Sequence, residues 1–182
     1  GSLLRGKYIM PKPIPGRMTA AIEGDFVIFL IGMRIHKLWK VWKWFPVFAA
    51  MPKMLIELGK NPDLGLLHAK TFFSLRSPYL VQYWRSFEDL HAYSVNRDSE
   101  HLPAWAAFNR AMGTNGEVGI WHETYLIRAG DHESVYGNMP PIGLGIAGGL
   151  KPVEGRNRSA KGRLRQSDGN DQPDMDDSNE TT

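Results

Sequence analysis

Cysteine is absent from the 182 residues of this chain. Its absence excludes disulfides, thiolate catalysis and cysteine-held zinc or iron–sulfur centres, and a reducing cytoplasm suits such a composition. Charge of one sign is also scarce. Lys and Arg total 22 against 19 Asp and Glu, a formal net charge of +3, and much of the basic content is scattered or near the C-terminus, so no nucleic-acid footprint is implied. Long apolar runs are missing too. The run Phe26–Met33 falls far short of the roughly 20 residues of a membrane helix, and no integral span is expected. The opening Gly-Ser-Leu-Leu-Arg-Gly-Lys has no apolar segment of the kind a secretory leader carries. No GxGxxG fingerprint occurs, which argues against a flavin or nicotinamide held on a Rossmann unit.

What the chain does contain is aromatic bulk. Eight Phe, six Trp and six Tyr within 42% hydrophobic residues are enough for the core of a single domain of ordinary size. Residues 1–17 hold Pro11, Pro13, Pro15 and Gly16 and read as an extended arm. Asp25–Arg34 is apolar on both alternations, the mark of a strand buried on both faces. Residues 37–60 read as a helix entered at Trp44-Phe45-Pro46, with Phe48, Met51, Leu55 and Leu58 at helical spacing and a kink or restart at Pro52. Leu64–Leu75 and Tyr79–Arg85, split by Ser77-Pro78, read as a strand hairpin. Phe87–Asn96 follows as a helix capped by Ser86, with Asp89 three residues on. His101–Met112 continues as a second helical stretch, and Val118–Arg128 forms the last core strand.

The order is βαββαβ, a ferredoxin-like α+β unit. Ser134–Leu150, rich in Gly and Pro, is too irregular for a helix and is expected to drape over the domain or a partner subunit. Beyond it hydrophobes nearly vanish, and a basic stretch (Arg156 to Arg165) gives way to an acidic one (Asp168 to Glu180). Residues 154–182 therefore read as a disordered tail, leaving 18–153 as the folded domain. A sheet with both helices on one side should carry a polar second face. The strands here are apolar on both faces, so a second copy packed sheet to sheet, a dimeric α+β barrel, is expected to cover it. Cover in cis by Ser134–Leu150 is the alternative.

The stretch Tyr83-Trp84-Arg85-Ser86-Phe87-Glu88-Asp89-Leu90-His91-Ala92-Tyr93, with Glu100-His101-Leu102-Pro103-Ala104-Trp105 after it, resembles the strand–helix signature of antibiotic-biosynthesis monooxygenases. Ile14–Thr19, Phe29–Arg34, Gly119–Tyr125 and Tyr136–Pro141 together resemble the smaller family typified by the fumagillin-pathway monooxygenase, over roughly residues 14–150. The resemblance implies a dimeric α+β barrel and oxidation of a hydrophobic secondary metabolite, polycyclic or terpenoid. It carries no settled set of catalytic residues.

Two kinds of oxygenase chemistry remain open without cysteine. A cofactor-free enzyme would deprotonate an electron-rich substrate whose carbanion meets O₂, which needs a base, donors for the anion and a dry pocket. A haem enzyme would hold iron on one His, as haem-degrading and aldoxime-dehydrating relatives of the superfamily do. His122 is the preferred base or polar anchor if its face is the lumen of the dimer's barrel, where the substrate is expected to sit, against a structural core histidine. His101 is the candidate haem ligand, against a helix-start surface residue. Trp84 and Tyr83 face opposite ways, so one of them is expected to reach the cavity while the other packs under the helices. Tyr125 and Arg34 are candidate oxyanion donors, although Arg34 could instead pair with Glu123. Asn138 suits a lid, while His36 and His91 read as structural or solvated. Trp39, Trp42 and Trp44 interleave with Lys37, Lys40 and Lys43. That pattern fits peripheral contact with a membrane surface, or a helix packed on its sheet with Lys stems turned outward, the commoner arrangement. A non-catalytic ligand-binding dimer is the third functional class.

Overall fold

The computed structural model describes residues 11–96 and 116–174. In chain order these form strand β1 (Arg17–Ala20), β2 (Phe26–Ile35), helix α1 (Val41–Lys60), β3 (Leu66–Phe72), β4 (Tyr79–Trp84), α2 (Phe87–Val95) and β5 (Val118–Ile127). Then come β6 (Tyr136–Gly137), a helical turn α3 (Leu144–Ala147), β7 (Leu150–Pro152), a 3₁₀ turn (Gly155–Arg158) and a second short turn α4 (Ala160–Arg163). The chain divides into two compact units, Glu23–His132 and a second made from residues 1–22 with 133–182.

The first unit is the ferredoxin-like one. Its antiparallel sheet runs β3-β4-β2-β5, so the first and third core strands lie at the centre. Strand alternation sets its core. Val27 packs with Met54 and Leu58 of α1, Leu80 and Trp84 of β4, and Leu90 and Tyr93 of α2. Met33 and Ile35 pack with Val47 and Val118. The opposite alternation places Ile28 and Leu30 beside Tyr83 and Val81 in the register. On that second face Tyr79 stacks on Phe72 at 4.9 Å and 9°. Gly32 belongs there because the Trp121 indole lies over it, 2.7 Å from where a Cβ would stand.

Helix α1 begins at Val41, earlier than Pro46 predicts. Lys40 reaches Glu117, Lys43 N–H donates to the Lys40 carbonyl at 2.9 Å, and Trp44 Nε1 donates to the Leu38 carbonyl at 3.1 Å. These contacts wind the chain before the proline, and the helix runs through Pro52 as one element. The predicted cap of α2 is present, with Ser86 Oγ accepting from Asp89 N–H at 3.1 Å.

The second unit is where expectation and structure part. Strand β1 begins at Arg17, the last residue of the expected arm, and pairs with β6 on one side and β7 on the other. Ser134–Leu150 holds a helical turn, and Gly148 is required there because a Cβ would meet that of Ile22 at 2.3 Å. The expected disordered tail also needs correction over residues 155–174. Arg163, 5% exposed, is paired with Glu133 at 2.8 Å and Asp174 at 2.7 Å, and donates to the Asn157 carbonyl at 2.8 Å. Ionic and hydrogen-bonded contacts supply the order here, which a count of apolar residues does not register. The second helical stretch predicted at His101–Met112 lies outside the described residues.

Candidate active site

Between the sheet and helices α1 and α2 of the Glu23–His132 unit lies a cavity of about 670 Å³, a size suited to a small organic ligand. Its walls are apolar: Phe29, Ile31 and Met33 from β2, Phe48, Met51 and Leu55 from α1, and Leu90 from α2. The polar groups reaching it are few, namely Gln82 and Trp84 of β4, Thr71 beside them, His122 and Thr124 of β5, and His91, Tyr93 and Ser94 of α2.

Trp84 and Gln82 are held as a pair. Trp84 is fully buried and Gln82 is 3% exposed, and Trp84 Nε1 donates to Gln82 Oε1 at 2.8 Å. Strand alternation puts both on the cavity side, two residues apart. Because the indole occupies the amide oxygen, the amide nitrogen is the donor left to a ligand. The Trp84 ring also meets Tyr93 at 5.8 Å, whose hydroxyl donates to Glu57 Oε2 at 2.8 Å. His122 pairs with Ile31 in the register, and its ring lies 5.8 Å from Phe29. It is exposed, so its two nitrogens are not consumed by the core.

The sequence-predicted residues therefore split. His122 and Trp84 both line the cavity, but it lies on the helix side of the sheet, where Trp84 packs against α1 and α2, and not on the barrel-lumen face on which the site is expected. Arg34 and Tyr125 do not join them, since alternation turns both to the opposite sheet face. There Arg34 donates to Ser77 Oγ at 2.8 Å, and Tyr125 donates to Glu123 Oε2 at 2.6 Å. That hydrogen bond holds the Tyr125 phenol above its ordinary range. Glu123 thus serves Tyr125 rather than Arg34. His101 lies outside the described residues. Asn138, with φ of +50°, exchanges hydrogen bonds with Gly16, at 2.9 and 3.0 Å, in the second unit. The two distant stretches around Gly16 and Asn138 are thereby strand partners.

Gln82 and the Tyr93–Glu57 pair were missed from sequence. The signal for Gln82 was present: within Tyr79–Trp84 it is the polar residue between the inward Leu80 and Trp84. His68 was also missed. It stacks on Tyr83 at 6.2 Å on the second face, where burial first and the nearby Lys70 charge second push its imidazole below the ordinary value. Among the described residues, no group of three His, Asp or Glu side chains could hold a metal ion.

The sequence profile of the family described as Monooxygenase af470-like matches residues 26–144, more than half the chain. Monooxygenase af470 of Aspergillus fumigatus is 28% identical over 103 residues, which cover 54% of this chain and 35% of that protein. The chain thus spans about a third of the length of this curated relative. Among solved structures, an aldoxime dehydratase crystallised with butyraldoxime superposes with a TM-score of 0.58 and 16% identity, covering 73% of this chain and 40% of that one. The cofactor-independent oxygenase SnoaB of Streptomyces nogalater gives a TM-score of 0.42 and 12% identity, over 57% of this chain and 94% of that one.

Proposed function

Because this chain belongs to the Monooxygenase af470-like family, we propose that it oxygenates a hydrophobic metabolite in the cavity of the Glu23–His132 unit, with O₂ as co-substrate and no bound cofactor. The observation that carries this reading is the buried Gln82–Trp84 pair, which fixes a hydrogen-bond donor in a mainly apolar chamber.

The chemistry follows from what such a chamber does to an acidic CH₂ beside a conjugated carbonyl. His122 takes one proton, and the negative charge moves onto the carbonyl oxygen. The Gln82 amide N–H stabilises that oxygen, and it does so more strongly where water is scarce. Two-electron addition to O₂ through one-electron steps forms a C–O bond and a peroxide. Loss of water from the peroxide leaves C=O, so that CH₂ and O₂ become C=O and H₂O with no external reductant. Trp84 acts as a positioning residue because it orients Gln82 without touching the reacting atoms. The ligand is bound by the Phe, Met, Leu and Ile walls, which select for apolar, ring-sized molecules.

His122→Ala is expected to abolish turnover. Gln82→Leu, close in volume but without a donor, should lower kcat by about 10²-fold with a smaller change in KM. Trp84→Phe should act in the same direction as Gln82→Leu and add little to it in the double variant. Wild-type rates in all three single variants would remove these residues from the mechanism.

Haem is the alternative cofactor. A single His could hold its iron, and of the described histidines His91 and His122 line the cavity. A haemin titration that gives no saturable Soret band separates the cofactor-free reading from it.

A further inference from the structure

Helix α1 violates the pattern of a surface helix. Its inner stripe, Val47, Met54 and Leu58, is buried. Its outer stripe should then be polar. Instead Trp42, Phe45, Ala49, Pro52 and Ile56, spaced by three and four residues, are all exposed and all apolar. Trp42 is 67% exposed and Ile56 56%, and the two lie about 21 Å apart along the axis.

A second element joins this stripe. After β3 the loop turns Phe73 and Leu75 outward, 77% and 79% exposed. The Phe73 ring lies 6.2 Å from Phe48 of α1. Arg76 Nη1 fastens the loop by donating to the Ile35 and His36 carbonyls at 3.4 and 3.2 Å.

Charge decides what such a surface fits. Between Arg34 and Ile56 stand four Lys residues and no Asp or Glu, and between Leu64 and Phe87 there is again no acidic residue. Glu117 engages Lys37 and Lys40, which leaves Lys43, Lys53 and Arg76 as the cations edging the patch. Two copies meeting here about a two-fold axis would set these cations against one another. An anionic lipid surface accepts both features, since Trp and Phe enter the headgroup boundary while Lys stems carry their charge outward.

We propose that the outer stripe of α1 and the Phe73–Arg76 loop form a docking surface for anionic membrane lipid. Phe48, Pro52 and Phe73 also line the cavity, so an apolar ligand held in the bilayer would meet the chamber at the docked face. The docking does not depend on the oxygenase chemistry.

The test is flotation of the full chain with vesicles of phosphatidylcholine, alone or containing phosphatidylserine. Co-flotation with the anionic vesicles, weakened by raised salt, is expected. Trp42→Ser/Leu75→Ser and, separately, Lys43→Glu/Lys53→Glu should each lower the bound fraction about tenfold or more, while Trp121→Ala, on the second sheet face, should not. Circular dichroism checks that each variant is folded. A wild-type chain that stays in solution with both vesicle types overturns the proposal, as does undiminished binding by both double variants. Light scattering that shows Trp42→Ser/Leu75→Ser breaking a dimer formed by the wild type would assign the surface to a second copy and overturn it equally.

Discussion

A glutamine amide buried between Leu80 and Trp84 needs partners for both its ends, and the Trp84 indole satisfies one of them. The other end faces the cavity, where a ligand oxygen is the matching group. The same logic of buried polar atoms governs Glu117, whose side chain is 3% exposed and bonded to Lys40 and Lys37. The Lys40 hydrogen bond comes first among the causes that hold its carboxyl below the usual range. A carboxyl whose folded pKa is depressed contributes stability above its unfolded value, near about 4.3, and loses it as pH falls through the folded one. Glu117→Gln should therefore lower the melting temperature at neutral pH. The gap between variant and wild type should close on acidification below about pH 4, as a pH series of thermal melts would show. A gap independent of pH would mean that the ion pair is not the cause.

Among the elements, legibility followed the strength of the periodic signal. β2 was plain because Phe26–Met33 is apolar at every position, and the hairpin β3–β4 because Ser77-Pro78 interrupts it. Residues of unlike face were harder. His122 and Trp84 fall on the cavity side and Arg34 and Tyr125 on the other, a difference of parity that sequence alone does not resolve until one face is known to carry the helices. The second unit was hardest. Its three strands pair residues more than a hundred positions apart, such as Arg17 with Gly137, and its C-terminal turn hangs on Arg163 rather than on apolar area. Hydrogen exchange should show protection at Arg163 and Leu164, whose amides donate to the Ser159 and Ala160 carbonyls at 3.0 Å each. Arg163→Ala should remove that protection and leave β2 and β4 unchanged. Fast exchange in the wild type would contradict the ordered turn.

At the scale of the whole molecule, the second sheet face is the one that the helices of the unit leave apolar. Ile28, Leu30, Val81 and the Phe72–Tyr79 stack lie on it, and Trp121 and Tyr125 are 38% and 47% exposed. We propose that a second copy covers this face, because strands apolar on both sides require two layers of cover. Light scattering should give twice the 20.5 kDa chain mass, and Leu30→Lys, which sets a charge at the centre of the face, should give the single mass. A wild-type monomer would contradict the dimer and leave the cavity argument standing, because the cavity is built within one copy. That cavity is the central claim, and oxygen uptake by haem-free and metal-free protein tests it most directly, with an anthrone as the polycyclic substrate bearing an acidic CH₂. The account predicts one O₂ consumed per CH₂ converted to C=O, lost in His122→Ala and strongly reduced in Gln82→Leu. Uptake that appears only after haemin is added, or that persists unchanged in both variants, would contradict it.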